Sequence, residues 1–369
     1  MKSIDESKLG EYVSKIFGQG TVVKSVEKLG EGMHGIGYAI NIIENGKEKR
    51  YVLKTLREEA FGHEYAADRA NVIIRALMDH NLLPNHVKVL DAGSIQTDGK
   101  LLSLGKPEEF FIIMEEAKGI IYWNDFDEIR DRGNLTEKDV QRIKILAKYL
   151  ASMHNIGYGG NNSNNLYKKV VRDFVGHGEL IMGLLDTFPD NLKFISRKEM
   201  IDIVKKSVEL WDKIKGKNHR LVVVHSDFYP GNILFDGDKL VITDRSRFRY
   251  GEAANDIASF SINIINYSVL TYGDFRDPFK KLWEILFEEY PRCMNDKEMF
   301  KVAPLFFVFA ALVCIHPVFY SAQWMKRHGF SEESIERIDE NKKKMVNFAK
   351  SVAMEDEFDI NKISSYLGL

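Results

Sequence analysis

Cysteine is nearly absent from this 369-residue chain. Cys293 and Cys314 are its only two, too few for a disulfide framework and in keeping with a reducing cytosol. An excess of either charge is also missing: 52 basic side chains stand against 54 acidic ones, so net charge provides no footprint for nucleic acid or a membrane surface. The opening residues MKSIDESKLG have no apolar core after their lysine, which argues against a signal peptide. Long hydrophobic runs are lacking except at residues 302–321, VAPLFFVFAALVCIHPVFYS. With Pro304, His316 and Pro317 inside about one bilayer span, that stretch reads as a buried helix of a large domain. No fixed-period repeat occurs, and low complexity is confined to an Asn-rich loop at 159–165. These absences favour a cytoplasmic protein without nucleic-acid or membrane partners, long enough for two domains or one bilobed unit.

What is present is concentrated between residues 221 and 256, LVVVHSDFYPGNILFDGDKLVITDRSRFRYGEAAND. Three short apolar runs, 221–224, 232–235 and 239–243, read as strands, and the Asp-Gly-Asp between the last two is a hairpin turn. If the turn is centred between Gly237 and Asp238, Asn232 lies opposite Thr243, the neighbour of Asp244. Asp227 then sits in the loop at the same end. Two carboxylates and a carboxamide converging there suit phosphoryl transfer: hard oxygens of Asn232 and Asp244 for Mg2+, and Asp227 to accept the proton of an attacking hydroxyl. The spacing H-x-D-x-x-x-x-N, with an Asp twelve residues after the Asn, matches the catalytic and metal loops of kinases.

Upstream, Gly30, Gly32 and Gly35 form G-x-G-x-x-G, a pattern shared with dinucleotide-binding folds. Those folds need a helix at the third glycine. Here 38–43 is strand-like, Asn45-Gly46 is a hairpin turn, and 51–56 is a returning strand that carries Lys54. A glycine-rich hairpin can close over nucleotide phosphates because its backbone has no Cβ in the way, and Lys54 could reach the α and β phosphates. Residues 58–80 read as a helix whose Glu64 or Asp68 could orient Lys54; Glu64 reaches further. Residues 5–17 read as a packing helix, and 110–115, FFIIME, as an apolar strand broken by Glu116-Ala117-Lys118-Gly119.

Together these motifs resemble the aminoglycoside phosphotransferase and choline kinase family more than protein kinases, because His225-Ser226-Asp227 lacks the Arg before the Asp. The resemblance implies an α+β, bilobed protein-kinase-like fold. Residues 1–117 would be an N-lobe of antiparallel sheet plus helix, and 118–369 a larger, mostly helical C-lobe. It also implies ATP or GTP with Mg2+ as cofactors, Met114 bordering the base pocket, and backbone groups of Glu116 and Ala117 pairing with the base edge. Asp256 matches the family's later Asp, which braces the catalytic region.

The C-terminal part is read as helical. A helix at 135–155 opens with a capping-box arrangement of Thr136 and Asp139 and ends at His154, a packing residue. Beyond it Arg172, Asp173, His177 and Glu179 interrupt an apolar stretch, and His177 and Glu179 are at most substrate-pocket candidates. The chain departs from the family at Arg245-Ser246-Arg247. Two arginines near the transfer site would repel a polycationic aminoglycoside and would sooner bind a phosphate, a carboxylate or a neutral polyol. Only eleven residues separate Asp244 from Asp256 and no A-P-E follows, so a peptide would have no platform. The expected partner is a small-molecule hydroxyl acceptor. The alternative is a nucleotide-binding pseudokinase, a regulatory module without phosphotransfer.

Overall fold

The structure, a computed structural model, describes residues 6–31, 35–59, 62–82, 84, 87–110, 112, 114–245 and 247–369. The chain divides into two compact units, Met1–Met114 and Glu115–Leu369.

In the first unit, α1 (Glu6–Phe17) turns Leu9 and Val13 onto Ile40 and Ile42 of an antiparallel sheet, forming one small core. The sheet runs β1 (Val22–Glu31), β2 (Gly35–Glu44), β3 (Lys47–Leu56), in that order. Asn45 and Gly46 both have positive φ, 50° and 72°, which matches the right-handed twist of the strands they join. The helix α2 (Ala66–Asp79) begins later than the periodicity of 58–80 suggests. The Asp68 carboxylate accepts from the Tyr65 N–H at 2.8 Å, which fixes the first turn there. A two-stranded ribbon, β4 (Gly93–Ile95) with β5 (Leu101–Ser103), follows. Of the strand expected at 110–115, the described residues 110, 112, 114 and 115 take part in no ladder, and Ile112 and Met114 are exposed; 111 and 113 lie outside the described residues. An apolar run becomes a strand only where a neighbour offers a pairing edge.

The second unit opens with β6 (Ile120–Ile121), α3 (Trp123–Arg132) and α4 (Glu137–His154). The Thr136–Asp139 capping box of α4 forms as its sequence indicates. Then come α5 (Ser163–Gly176), α6 (Ile181–Asp186), α7 (Arg197–Ile214), β7 (Val222–Val223), β8 (Ile233–Asp236), β9 (Lys239–Ile242) and β10 (Tyr250–Gly251). The hairpin of β8 and β9 gains a third strand, giving the order β6-β8-β9, while β7 pairs with β10. The rest is helical: α8 (Ala253–Tyr272), α9 (Phe279–Cys293), α10 (Met299–Ile315), α11 (Ala322–Arg327), α12 (Glu332–Glu336), α13 (Ile338–Val352) and α14 (Ile363–Leu367). Helix α10 is buried almost all round and packs on α8 and α13, as a core helix should. Among the described residues no helix is long and apolar enough to cross a membrane. A small antiparallel sheet followed by a mostly helical remainder is the expected α+β class.

Candidate active site

The second unit carries the denser chemistry. Ile233 pairs with Ile242, and the Thr243 N–H donates to the Asn232 carbonyl at 3.0 Å, so the ladder runs on to the register read from the turn. Asn232 and Asp244 are therefore delivered to one end of the hairpin. Asp227 is there as well: its backbone carbonyl accepts from Asn232 Nδ2 at 3.0 Å, and its Oδ2 lies 3.4 Å from the same nitrogen. His225 ties the two loops together, its Nε2 lying 2.9 Å from the Thr243 carbonyl.

Backbone strain marks both carboxylates. Ser226, directly before Asp227, has φ 70°, and Asp244 itself has φ 57°, left-handed values that non-glycine residues rarely adopt without support. The support for Ser226 is visible. Asp256, in the first turn of α8, accepts the His225 and Ser226 N–H groups on its two oxygens at 2.7 Å each. The carboxylate is in turn 3.2 Å from His154 Nε2, whose other ring nitrogen is 2.8 Å from the Tyr290 hydroxyl. His154 is thus a buried brace, and Asp256 holds the loop from beneath.

The two arginines do not act as a pair. Arg245 donates Nε to the Val224 carbonyl at 2.9 Å and Nη2 to the Arg249 carbonyl at 2.7 Å, so it staples its own loop. This corrects the expectation of two guanidinium groups at the transfer site. Arg247 does face the site: Nη1 donates to Asp227 Oδ1 at 2.9 Å and to the Ser226 carbonyl at 3.3 Å, while Nε meets Glu179 Oε2 at 3.4 Å. Nothing in the residue pattern indicated that Arg247 would bond Asp227. Burial pushes the Asp227 carboxyl up from its ordinary value; Arg247 and His225 oppose this, Asp244 adds to it, and the Asn232 hydrogen bond opposes it. The Asp244 charge therefore reaches Asp227.

For a divalent ion the donor set fits. Asn232 uses its amide nitrogen on Asp227, which leaves Oδ1 without a hydrogen bond among the described residues, and Asp244 is exposed. A carboxylate and a carboxamide oxygen suit a hard cation whose remaining ligands are phosphate and water oxygens. Among the described residues no group of three or more His, Cys, Asp or Glu is arranged to hold a metal unaided.

In the first unit Lys54 lies opposite Gly37 in the β2–β3 ladder. A Cβ built at Gly35 would sit 2.4 Å from the Thr55 carbonyl and 3.4 Å from Lys54 Cε, so glycine is what lets the strands and the lysine stem approach. Gly30 lies at the facing end of β1, opposite Gly37, and Gly32 falls outside the described residues. Leu29 and Val52 were not singled out from the sequence. They are 51% and 64% exposed and flank Gly37, each with a carbon 3.9 Å from a Cβ built there. Val52 precedes Lys54 by two residues, so strand alternation puts both on one face, a signal the sequence did contain. Glu64 is buried just before α2, and no ion pair joins it to Lys54 among the described residues. Met114, Glu116 and Ala117 are exposed and irregular.

Among curated proteins none matches the chain. Among solved structures, an amicoumacin kinase in complex with AMP-PNP, Ca2+ and Ami is 16% identical, covering 97% of both chains with a TM-score of 0.42. A Plasmodium vivax ethanolamine kinase is 15% identical, covering 89% of this chain and 84% of its own, with a TM-score of 0.38. A Cryptosporidium parvum choline kinase is 12% identical, covering 99% and 100%, with a TM-score of 0.35. The profile of the phosphotransferase enzyme family matches residues 41–293, which include Lys54, Asp227, Asn232 and Asp244, and the chain belongs to that family.

Proposed function

We propose that the protein transfers the γ-phosphoryl group of ATP or GTP to a hydroxyl of a small molecule. The convergence of Asp227, Asn232 and Asp244 at the open end of the β8–β9 hairpin, in a chain of the phosphotransferase family, carries this reading. The acceptor oxygen forms the new bond to the γ-phosphorus as the bond from that phosphorus to the β,γ-bridging oxygen breaks. The hydroxyl proton passes to Asp227, and the nucleoside diphosphate leaves. Asn232 and Asp244 would hold Mg2+, which supplies charge neutralisation on the phosphates when bound. Lys54 and the strand ends at Gly30 and Gly35 serve the phosphates, with Gly32 in the same motif. Leu29 and Val52 offer an apolar face for the base, and Met114, Glu116 and Ala117 its edge. Glu64 is the candidate to orient Lys54. The two cysteines are free thiols, consistent with a cytoplasmic setting.

Replacing Asp227 with Asn tests this directly. Phosphotransfer should fall by about 10²–10⁴-fold with nucleotide binding retained; an active variant would remove Asp227 from the role. One observation favours the alternative of a nucleotide-binding module without phosphotransfer: Arg247 occupies Oδ1 of the proposed base. That alternative predicts nucleotide-induced thermal stabilisation with no Mg2+-dependent ADP release, with or without an acceptor.

A further inference from the structure

Helix α8 is sealed along almost its whole length. From Ala253 to Leu270 every residue is buried except Ser259. Ser259 stands one turn beyond Asn255 and one turn before Asn263, so the three share a face. A continuous chain of hydrogen bonds runs along them. Asn255 Nδ2 donates to the Ser226 carbonyl at 3.3 Å, Ser259 Oγ to Asn255 Oδ1 at 3.3 Å, and Asn263 Nδ2 to the Ser259 carbonyl at 2.6 Å. The Tyr320 hydroxyl closes it on Asn263 Oδ1 at 2.5 Å. One end of this polar face is therefore the backbone of the residue before Asp227. The other end is also near: the Tyr320 hydroxyl, held well above its usual range mainly by burial, also feels Cys314, Tyr229 and Asp227.

Aromatic rings stand over the same place. Trp123 meets Tyr229, two residues after Asp227, with centroids 6.5 Å apart, and Tyr320 at 6.2 Å. Tyr229 is half-buried, so part of its ring is open. Neutral hydroxyl and carboxamide groups beside aromatic faces match compounds that present many hydroxyls on one side and C–H groups on the other. The cationic Arg247 already engages the two carboxylates beside it, Asp227 at 2.9 Å and Glu179 at 3.4 Å, so a second cation there meets a like charge and no unengaged partner among those two.

We propose that the acceptor is a neutral polyhydroxylated compound, a sugar or polyol. It is held at Ser259, the open member of the chain that Asn255, Asn263 and Tyr320 position from beneath, against Tyr229 and Trp123, with one hydroxyl at Asp227. The inference rests on the phosphotransferase reading. Its test is ADP release from MgATP and MgGTP over four probe sets, with products identified by mass: neutral sugars and polyols, sugar acids, amino alcohols, and aminoglycosides. Turnover is expected in the first set. Ser259→Val, at the one open position between Ala253 and Leu270, should raise KM for the accepted probe about tenfold while nucleotide KM stays within twofold. Tyr320→Phe, which keeps the ring, should act in the same direction. Turnover confined to charged probes, no neutral compound accepted, or an acceptor KM unmoved in both variants would overturn the proposal. An amine or acid phosphorylated by the wild type but not by Asp227→Asn would sink this inference and leave phosphotransfer standing. ADP release indifferent to Asp227→Asn would remove the phosphotransfer reading itself.

Discussion

Arg247 Nη1 lies 2.9 Å from Oδ1 of Asp227, which leaves Oδ2, with Asn232 Nδ2 at 3.4 Å, as the oxygen the guanidinium does not engage. With Asp227 as the proposed base, the guanidinium would fix which oxygen accepts the proton and in what direction. Arg247→Gln should lower kcat on the order of 10²-fold, since a small misplacement of a reacting group costs that much. Arg247→Lys should keep part of the rate, and free guanidinium ion should restore part of it to Arg247→Ala. Steady-state kinetics with the best acceptor of the panel checks this; a kcat equal to wild type in all three variants would show the contact to be incidental.

Asp256 accepts two backbone N–H groups of the loop that carries Asp227. In Asp256→Asn one of those donors must face an amide nitrogen. Charged, buried hydrogen bonds of this kind contribute about 1.5–3 kcal/mol each. Urea unfolding should show a loss of that order, and kcat should drop because Ser226 loses its support. An unchanged urea midpoint would contradict the brace.

Lys342 is 4% exposed, and its amine lies 3.4 Å from the His316 carbonyl and over the Phe194 ring. Burial pulls it down from 10.5 to about 8, with Asp339 and Cys314 opposing. The folded value is below the unfolded one, so between roughly pH 8 and 10.5 the unfolded chain binds more protons, and this group's contribution to stability rises with pH. The burden is fully present below pH 8. Lys342→Met should therefore raise the unfolding free energy at pH 7 by roughly 2–3 kcal/mol. That gain should shrink as pH approaches 10, and a gain independent of pH would contradict the titration.

Gly35→Ala places a methyl group 2.4 Å from the Thr55 carbonyl. Either β2 and β3 separate or the tip of β2 shifts, at a cost of about 1–3 kcal/mol, and Lys54 moves with it. Fluorescent-nucleotide titration should show affinity reduced roughly tenfold or more. Tight binding in that variant would detach this strand end from the nucleotide.

Much of the site was legible because turns fix register. Asp-Gly-Asp set Asn232 opposite Thr243, and Asn45-Gly46 marked the turn after which the returning strand carries Lys54, each by local chemistry alone. The sealed course of α10 was likewise readable, from apolar residues on every side of a helical stretch. What failed depended on partners distant in sequence. Nothing near 110–115 reveals whether a pairing edge exists, and nothing near Arg245 and Arg247 tells which guanidinium turns to its own loop and which to Asp227. The start of α2 was marked, by Asp68 three residues after Tyr65, but the apolar periodicity of the preceding residues obscured it.

Helix α8 anchors the loop that carries Asp227 at its first turn and presents Ser259 less than one turn later. Sliding or rotating it to admit a bulkier acceptor would carry Asp256 away from the two amides it secures. If the proposed acceptor site holds, new acceptor preferences in relatives of this chain should therefore arise by exchanging side chains at positions 259 and 263 on an unmoved helix and at 320, which bonds to it.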